Sequence, residues 1–496
     1  MVNHNDDEQI PKLAAEEEAD LQFDGNTAGA RIINKRTAPL VENQFKVLLE
    51  LKGVAESGEG RLGVDLVTIL DISGSMNKES RLSKMKLAMQ FLLQKLGRTD
   101  RLSVVTFNYE ANRLCPMRLI TENSRAEIAD KVNALEAEYT TNTEDGLRLA
   151  LKILEDRTLT KGRRAAIMLM SDGQEDKNSN ASNVPVGRVP VYTFSFGADD
   201  FDPKVFSDIA SNSYGGMYTP VPDLDDLNVS FSASLAGLLS VAIDGLTLTI
   251  IPAKGSSKFT EINAGNYKQT GNIEDEPVTV TFGSLYDQET RKVLVVLTLP
   301  EVKGRLGANI LAMEYKYRVG VNDTSKFDQR TINITRTDAS TMVEDEEVLA
   351  EEKRINTAKS ITAARLLADK KELEKARETL NDAKTSLSEV DAILTAQLDK
   401  LLEFMVSQDT YDKQGRAYAL ALEAAHASQR PNPSAAGMFN TPLIDLFVEQ
   451  AQLFDKQPTN YKVPTAEKDK RNITIKRIER TLALLEQIRM RYEPFP

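Results

Sequence analysis

Cysteine occurs once in this chain of 496 residues, at Cys115, and histidine twice, at His4 and His426. A single cysteine forms no intrachain disulfide and no Cys-based zinc site, which points to a reducing, cytoplasmic location. Two histidines far apart in sequence leave zinc-hydrolase and Ser-His-Asp chemistry without raw material, so the chain is not expected to be an enzyme. No apolar run approaches the roughly 18 residues that a membrane span needs. The opening stretch, Met1 to Glu8, has neither the basic start nor the apolar core of a signal peptide. Positive charge is also short: 62 Lys and Arg stand against 74 Asp and Glu, a net charge of −12. That balance argues against nucleic acid as a partner.

What is present is enough chain for about three domains of ordinary soluble composition. Its organising stretch runs from Val64 to Met76. Val64-Asp65-Leu66-Val67-Thr68-Ile69-Leu70 is an apolar, β-branched run of the kind buried on both faces in a parallel sheet. It ends in Asp71-x-Ser73-x-Ser75, after which Leu82, Met85, Met89, Leu92 and Leu96 follow at helical spacing. Ligands in open α/β sheets sit where a central strand ends in this way. One carboxylate and two hydroxyls suit Mg²⁺ or Mn²⁺, which take six oxygens and keep some waters. Three side chains do not close such a shell. Thr141, just before a helix opening with Glu144 and Asp145, and Asp172, after the apolar strand Ala165 to Met170, are expected at the same sheet edge. The plainer alternative is that Ser73 and Ser75 cap the following helix and Asp172 opens a turn with Gly173.

Asp71, Ser73, Ser75, Thr141 and Asp172, in this order and at these separations, resemble the metal-ion-dependent adhesion site of von Willebrand factor A domains. The resemblance covers roughly residues 60 to 240. It implies that Ser73, Ser75 and Thr141 give oxygens directly to Mg²⁺ while Asp71 and Asp172 act mainly through water. It also implies a vacant metal position for a partner's Glu or Asp. Many members carry two glycines before the loop threonine, whereas this chain has Tyr139 and Thr140.

The expected fold class is multidomain, α/β plus β plus α. A Rossmann-like A domain (60–241) is inserted in a β-sandwich (29–56 and 242–340), with a flexible acidic tail (1–28) before and a helical domain (341–496) after. Alternating strands and helices imply a parallel sheet covered on both faces. The strands at 31–34 and 44–51 are too few to bury a face alone, so they are expected to join those at 246–251, 278–282, 292–299, 314–319 and 331–335. Asp199, Asp200 and Asp202 form a possible second metal cluster. Asp202-Pro203 reads more simply as a helix N-cap with proline in the first turn. Lys476, Arg477 and Arg480, on a final helix at 473–488, suit either packing on the bundle or an acidic partner.

Tyr411 to Leu420 and Phe439-Asn440-Thr441-Pro442 are similar to the C-terminal region of plant von Willebrand A proteins of the wavy-growth RING ligase type. Those ligases place a Cys-rich RING before the A domain, and here that stretch has no cysteine. The expectation is therefore a metal-dependent protein-interaction module that binds a carboxylate of its partner. A scaffold with a vestigial metal site, a Mg-dependent hydrolase and a RING-less relative of a ubiquitin ligase are the alternatives.

Overall fold

A computed structural model describes residues 26–55, 61–172, 180–196, 203–221, 223–272, 276–320, 324–338, 343–464 and 466–492. Asp199, Asp200 and Asp202, and most of the 1–28 segment, lie outside the described residues. The strand Gly63–Asp71 is buried at every position, as its unbroken apolar run requires. It lies third in a sheet of six, ordered 111–119, 101–107, 63–71, 163–171, 191–196, 217–221. Every pairing is parallel except the edge strand Ala111–Leu119, which runs antiparallel to Arg101–Phe107. The chain builds outward from Gly63–Asp71 in one direction, then restarts beside it at Arg163–Ser171. The topological switch point therefore lies between the strands that end in Asp71 and Ser171, where open α/β sheets open a crevice.

Helices cover both faces. Arg81–Lys95, Glu122–Asn133 and Leu227–Leu239 lie on one side, with Met85, Met89, Ile128 and Phe231 in a shared core. Thr143–Glu155 and Pro203–Asn212 lie on the other, through Leu147, Ile153, Phe206 and Ile209.

The strands before this unit pair with strands after it. Asn43–Val54 lies between Thr27–Ile33 and Thr290–Leu299, with Val47 opposite Val295. A second sheet, containing 241–252, 278–286, 306–319 and 324–336, packs against that one around Phe45, Leu248, Val280 and Met313. The α/β unit is thus inserted in a β-sandwich. Its last helix, Leu227–Leu239, runs after Ser240 directly into the sandwich strand Val241–Pro252. Strands Lys258–Asn263 and Lys268–Thr270, short and polar, escape the sequence pattern.

The C-terminal part is helical, with an α-hairpin of Glu346–Asp369 and Leu373–Thr385. Pro442–Lys456, which periodicity alone leaves unassigned, has proline at its first turn after Thr441. It docks on the α/β unit: the Phe91 ring lies 6.3 Å from Phe447 and 5.8 Å from Phe454. Lys95 closes this seam from the α/β side, bonding Asp469 at 2.8 Å and lying 4.4 Å over the Phe447 ring. On the last helix, Ala466–Tyr492, Lys476 pairs with Glu449 and Arg477 with Asp287, so both are engaged in packing.

Candidate metal centre

Asp71 is the last residue of its strand and Asp172 follows the last residue of the neighbouring one, both with almost no exposure. The two carboxylates thus flank the switch point. Asp71 Oδ2 accepts a bond of 2.6 Å from the Ser171 hydroxyl, and its Oδ1 accepts one of 2.8 Å from the Ser73 N–H. That second bond folds the chain back after the strand and turns Ser73 and Ser75 to one side. Their Oγ atoms lie 3.1 Å apart. Adjacent oxygens of an octahedral Mg²⁺ shell, at about 2.1 Å from the ion, are themselves ~3 Å apart. Ser73 stands at the N-cap of the following 3₁₀ turn, Gly74–Ser80, yet its side chain makes no capping bond. The capping alternative therefore does not account for it.

The Thr141 loop is tied to this turn by backbone. Gly74 N–H donates to Tyr139 O and Glu138 N–H to Ile72 O, both at 2.8 Å. Asn142 N–H donates to Asn108 O at 2.7 Å, which fixes the other side of the loop. Thr141 is only 5% exposed, and its hydroxyl makes no hydrogen bond among the described residues. Tyr139, standing where the resemblance expects glycine, has φ +69°, the left-handed conformation that glycine adopts without cost. The loop thus keeps a glycine-like backbone while displaying a ring that is 65% exposed. Tyr109, 51% exposed, meets it edge to face at 5.1 Å.

The electrostatics favour a cation. Burial raises the Asp71 carboxyl to about 7, the charge of Asp172 adds to this, and bonds from Ser171 and Ser73 offset only part. Such a donor set, two carboxylates and neutral hydroxyls, fits a hard divalent ion. Among the described residues no three His, Cys, Asp or Glu side chains come together as a metal group.

Two contributors escape sequence reasoning. Ser171 orients Asp71. Arg81, 1% exposed, donates from Nη1 to Asp172 Oδ2 at 2.9 Å and from Nη2 to Glu79 at 3.2 Å. Arg81 stands four residues before Met85 and eight before Met89, on the inward stripe of its helix, and that spacing is the signal that it faces in.

Comparison with known proteins follows this geometry. The von Willebrand factor type A domain family matches residues 66–174, and a second family, described as VWA / Hh protein intein-like, matches residues 388–453. The probable E3 ubiquitin-protein ligase WAVH2 of Arabidopsis thaliana is 30% identical over 253 residues, covering 48% of this chain and 33% of that protein. The E3 ubiquitin-protein ligase WAV3 of the same plant is 29% identical over 260 residues, 49% of this chain and 32% of that protein. The chain thus spans about a third of the length of these curated relatives. Among solved structures, a von Willebrand factor type A protein from Catenulispora acidiphila superposes with a TM-score of 0.64 at 16% identity, over 82% of this chain and 97% of that one. The ArnB paralog VWA2 from Sulfolobus acidocaldarius gives 0.50 at 17% identity, over 79% and 96%. At these identities the structures speak for the fold alone. The chain carries a von Willebrand factor type A domain.

Proposed function

We propose that this protein is a Mg²⁺-dependent interaction module in the cytoplasm, which captures partner proteins through a carboxylate. The observation that carries the reading is the paired Ser73 and Ser75 hydroxyls beside two buried carboxylates at the switch point. In this reading Ser73, Ser75 and Thr141 hold the ion directly, and Asp71 and Asp172 hold it through water. The bound ion, short of negative charge with two carboxylates around it, supplies a Lewis-acidic position for a partner's Glu or Asp. The exposed Tyr109–Tyr139 pair beside the loop supplies apolar contact area of the sort that anchors protein interfaces. Catalysis is not part of the proposal. The relatives above are named as ubiquitin ligases, one of them a probable one, whereas the single cysteine of this sequence cannot supply a RING zinc centre.

One observation favours a second reading, a scaffold whose metal site is vestigial: Arg81 already gives Asp172 a buried cation. Capture of binding proteins by wild type and by Asp71→Ala/Ser73→Ala, each with Mg²⁺ and with chelator, separates the two. The metal-dependent reading expects partners lost in both the variant and the chelator arms. Identical partners in all four arms would establish the scaffold.

A further inference from the structure

At the opposite, amino-terminal edge of the same sheet lies a cavity of about 850 Å³, between the α/β unit and the sandwich. Among the described residues its walls carry Lys161, Arg163, Arg164, Arg188 and Arg318 against one carboxylate, Asp244, in a chain whose net charge is −12. Three of these cations, Arg163, Arg164 and Arg318, already have partners within the fold. Arg163 donates to Asp65 and to the carbonyls of Thr99 and Val64, and Arg164 pairs with Asp244. The pairing of Arg164 also uses up the one acid. Lys161 and Arg188 are exposed, with no hydrogen bond or ion pair among the described residues. Tyr214 lines the same wall, its hydroxyl raised by burial and by Asp244 and lowered by Arg318 and Arg188, which places it among them.

Cations gathered around a half-enclosed space repel one another and concentrate anions there. We infer that this cleft is a binding site for a small ligand with two or more phosphoryl charges, held by Lys161, Arg188 and the Tyr214 hydroxyl. The volume suits a small molecule rather than a lone phosphate. Guanidinium groups pair with phosphoryl oxygens in bidentate fashion, which gives the arginines their preference for that group. The inference stands apart from the metal reading, since the cleft and Asp71 lie at opposite ends of the strands.

Calorimetric titration of the full chain with inorganic pyrophosphate, at low salt and with chelator present, tests it. The expected result is saturable one-site binding, weakened about tenfold or more in Arg188→Glu and in Lys161→Glu. Lys375→Glu, on the C-terminal hairpin, is expected to bind as wild type does. Arg188→Gln, with thermal melting of each variant, guards against a folding defect. No saturable binding to wild type overturns the inference, as does equal weakening in Lys375→Glu. Binding that emerges only when Glu16, Glu17 and Glu18 are changed to Gln also overturns it, because the cleft would then serve the chain's own acidic segment.

Discussion

One strand carries two buried aspartates with opposite fates. Asp65, near the start of Gly63–Asp71, is met by Arg101, Arg157 and Arg163. Burial by itself would raise its carboxyl. The bond from Arg101 and the charges of Arg163, Arg101 and Arg157 outweigh burial and hold it below the ordinary carboxylate range. Asp71, at the other end, is equally buried but faces a second carboxylate and receives only serine and backbone bonds, and it is pushed up to about 7. Where charge serves the fold, the chain supplies the counter-charge itself. At the switch point that counter-charge is withheld from Asp71, and the proposed divalent ion would supply it.

The contrast can be broken from the structural side first. Asp65→Ala leaves three arginines around a buried void of charge and is expected to cost about 3–5 kcal/mol in urea unfolding, with or without Mg²⁺. A smaller loss, or one that Mg²⁺ repairs, would mean that the amino-terminal edge is no different from the other. Arg81→Ala removes the guanidinium from Asp172, and with chelator it should cost about 3 kcal/mol. Mg²⁺ should recover part of that, because the ion restores positive charge beside the same carboxylate. Equal losses in Mg²⁺ and chelator would show that Asp172 does not sense the ion.

Acidity sharpens the comparison further. The folded Asp71 carboxyl titrates near 7, above its ordinary unfolded value, so the metal-free fold binds the extra proton between about pH 4 and 7. Metal-free stability is therefore present at the low end of that window and falls as pH rises through it. Mg²⁺ needs the ionised form, so its affinity should drop by about tenfold per pH unit below 7. Affinity that is flat from pH 8 to about 6 would remove Asp71 from the ligand set. The smallest effect belongs to Tyr139→Gly: stability should change by less than about 1 kcal/mol, since relief of the positive φ offsets glycine's greater freedom. Capture of partners should weaken with the exposed ring gone, and unchanged capture would exclude Tyr139 from the interface.

The sheet, and the loops at its carboxyl edge that carry Asp71, Ser73, Ser75, Thr141 and Asp172, were legible because their signals are local. A run buried on both faces cannot alternate, and Asp71-x-Ser73-x-Ser75 ends it within one turn. The sandwich pairing was legible for a different reason, that two strands cannot stand alone. The role of Arg81 was not, because its spacing to Met85 and Met89 shows only that it faces inward, and Asp172, which it meets there, lies 91 residues away. The docking of Pro442–Lys456 on Arg81–Lys95 stayed hidden likewise: Lys95 meets Asp469 across 374 residues, and periodicity records only that each helix has an apolar side. The basic cleft draws Lys161, Arg188 and Arg318 from separate segments, so no window of sequence contains it.

Calorimetric titration of Mg²⁺ into wild type and Asp71→Ala at pH 8 tests the withheld counter-charge most directly. Wild type should bind one ion, and a hundredfold excess over its dissociation constant should add about 2.7 kcal/mol to stability. Asp71→Ala should bind none and should be no less stable than wild type in chelator, since it loses a charge that repels Asp172. Equal Mg²⁺ binding by the two proteins would contradict the account.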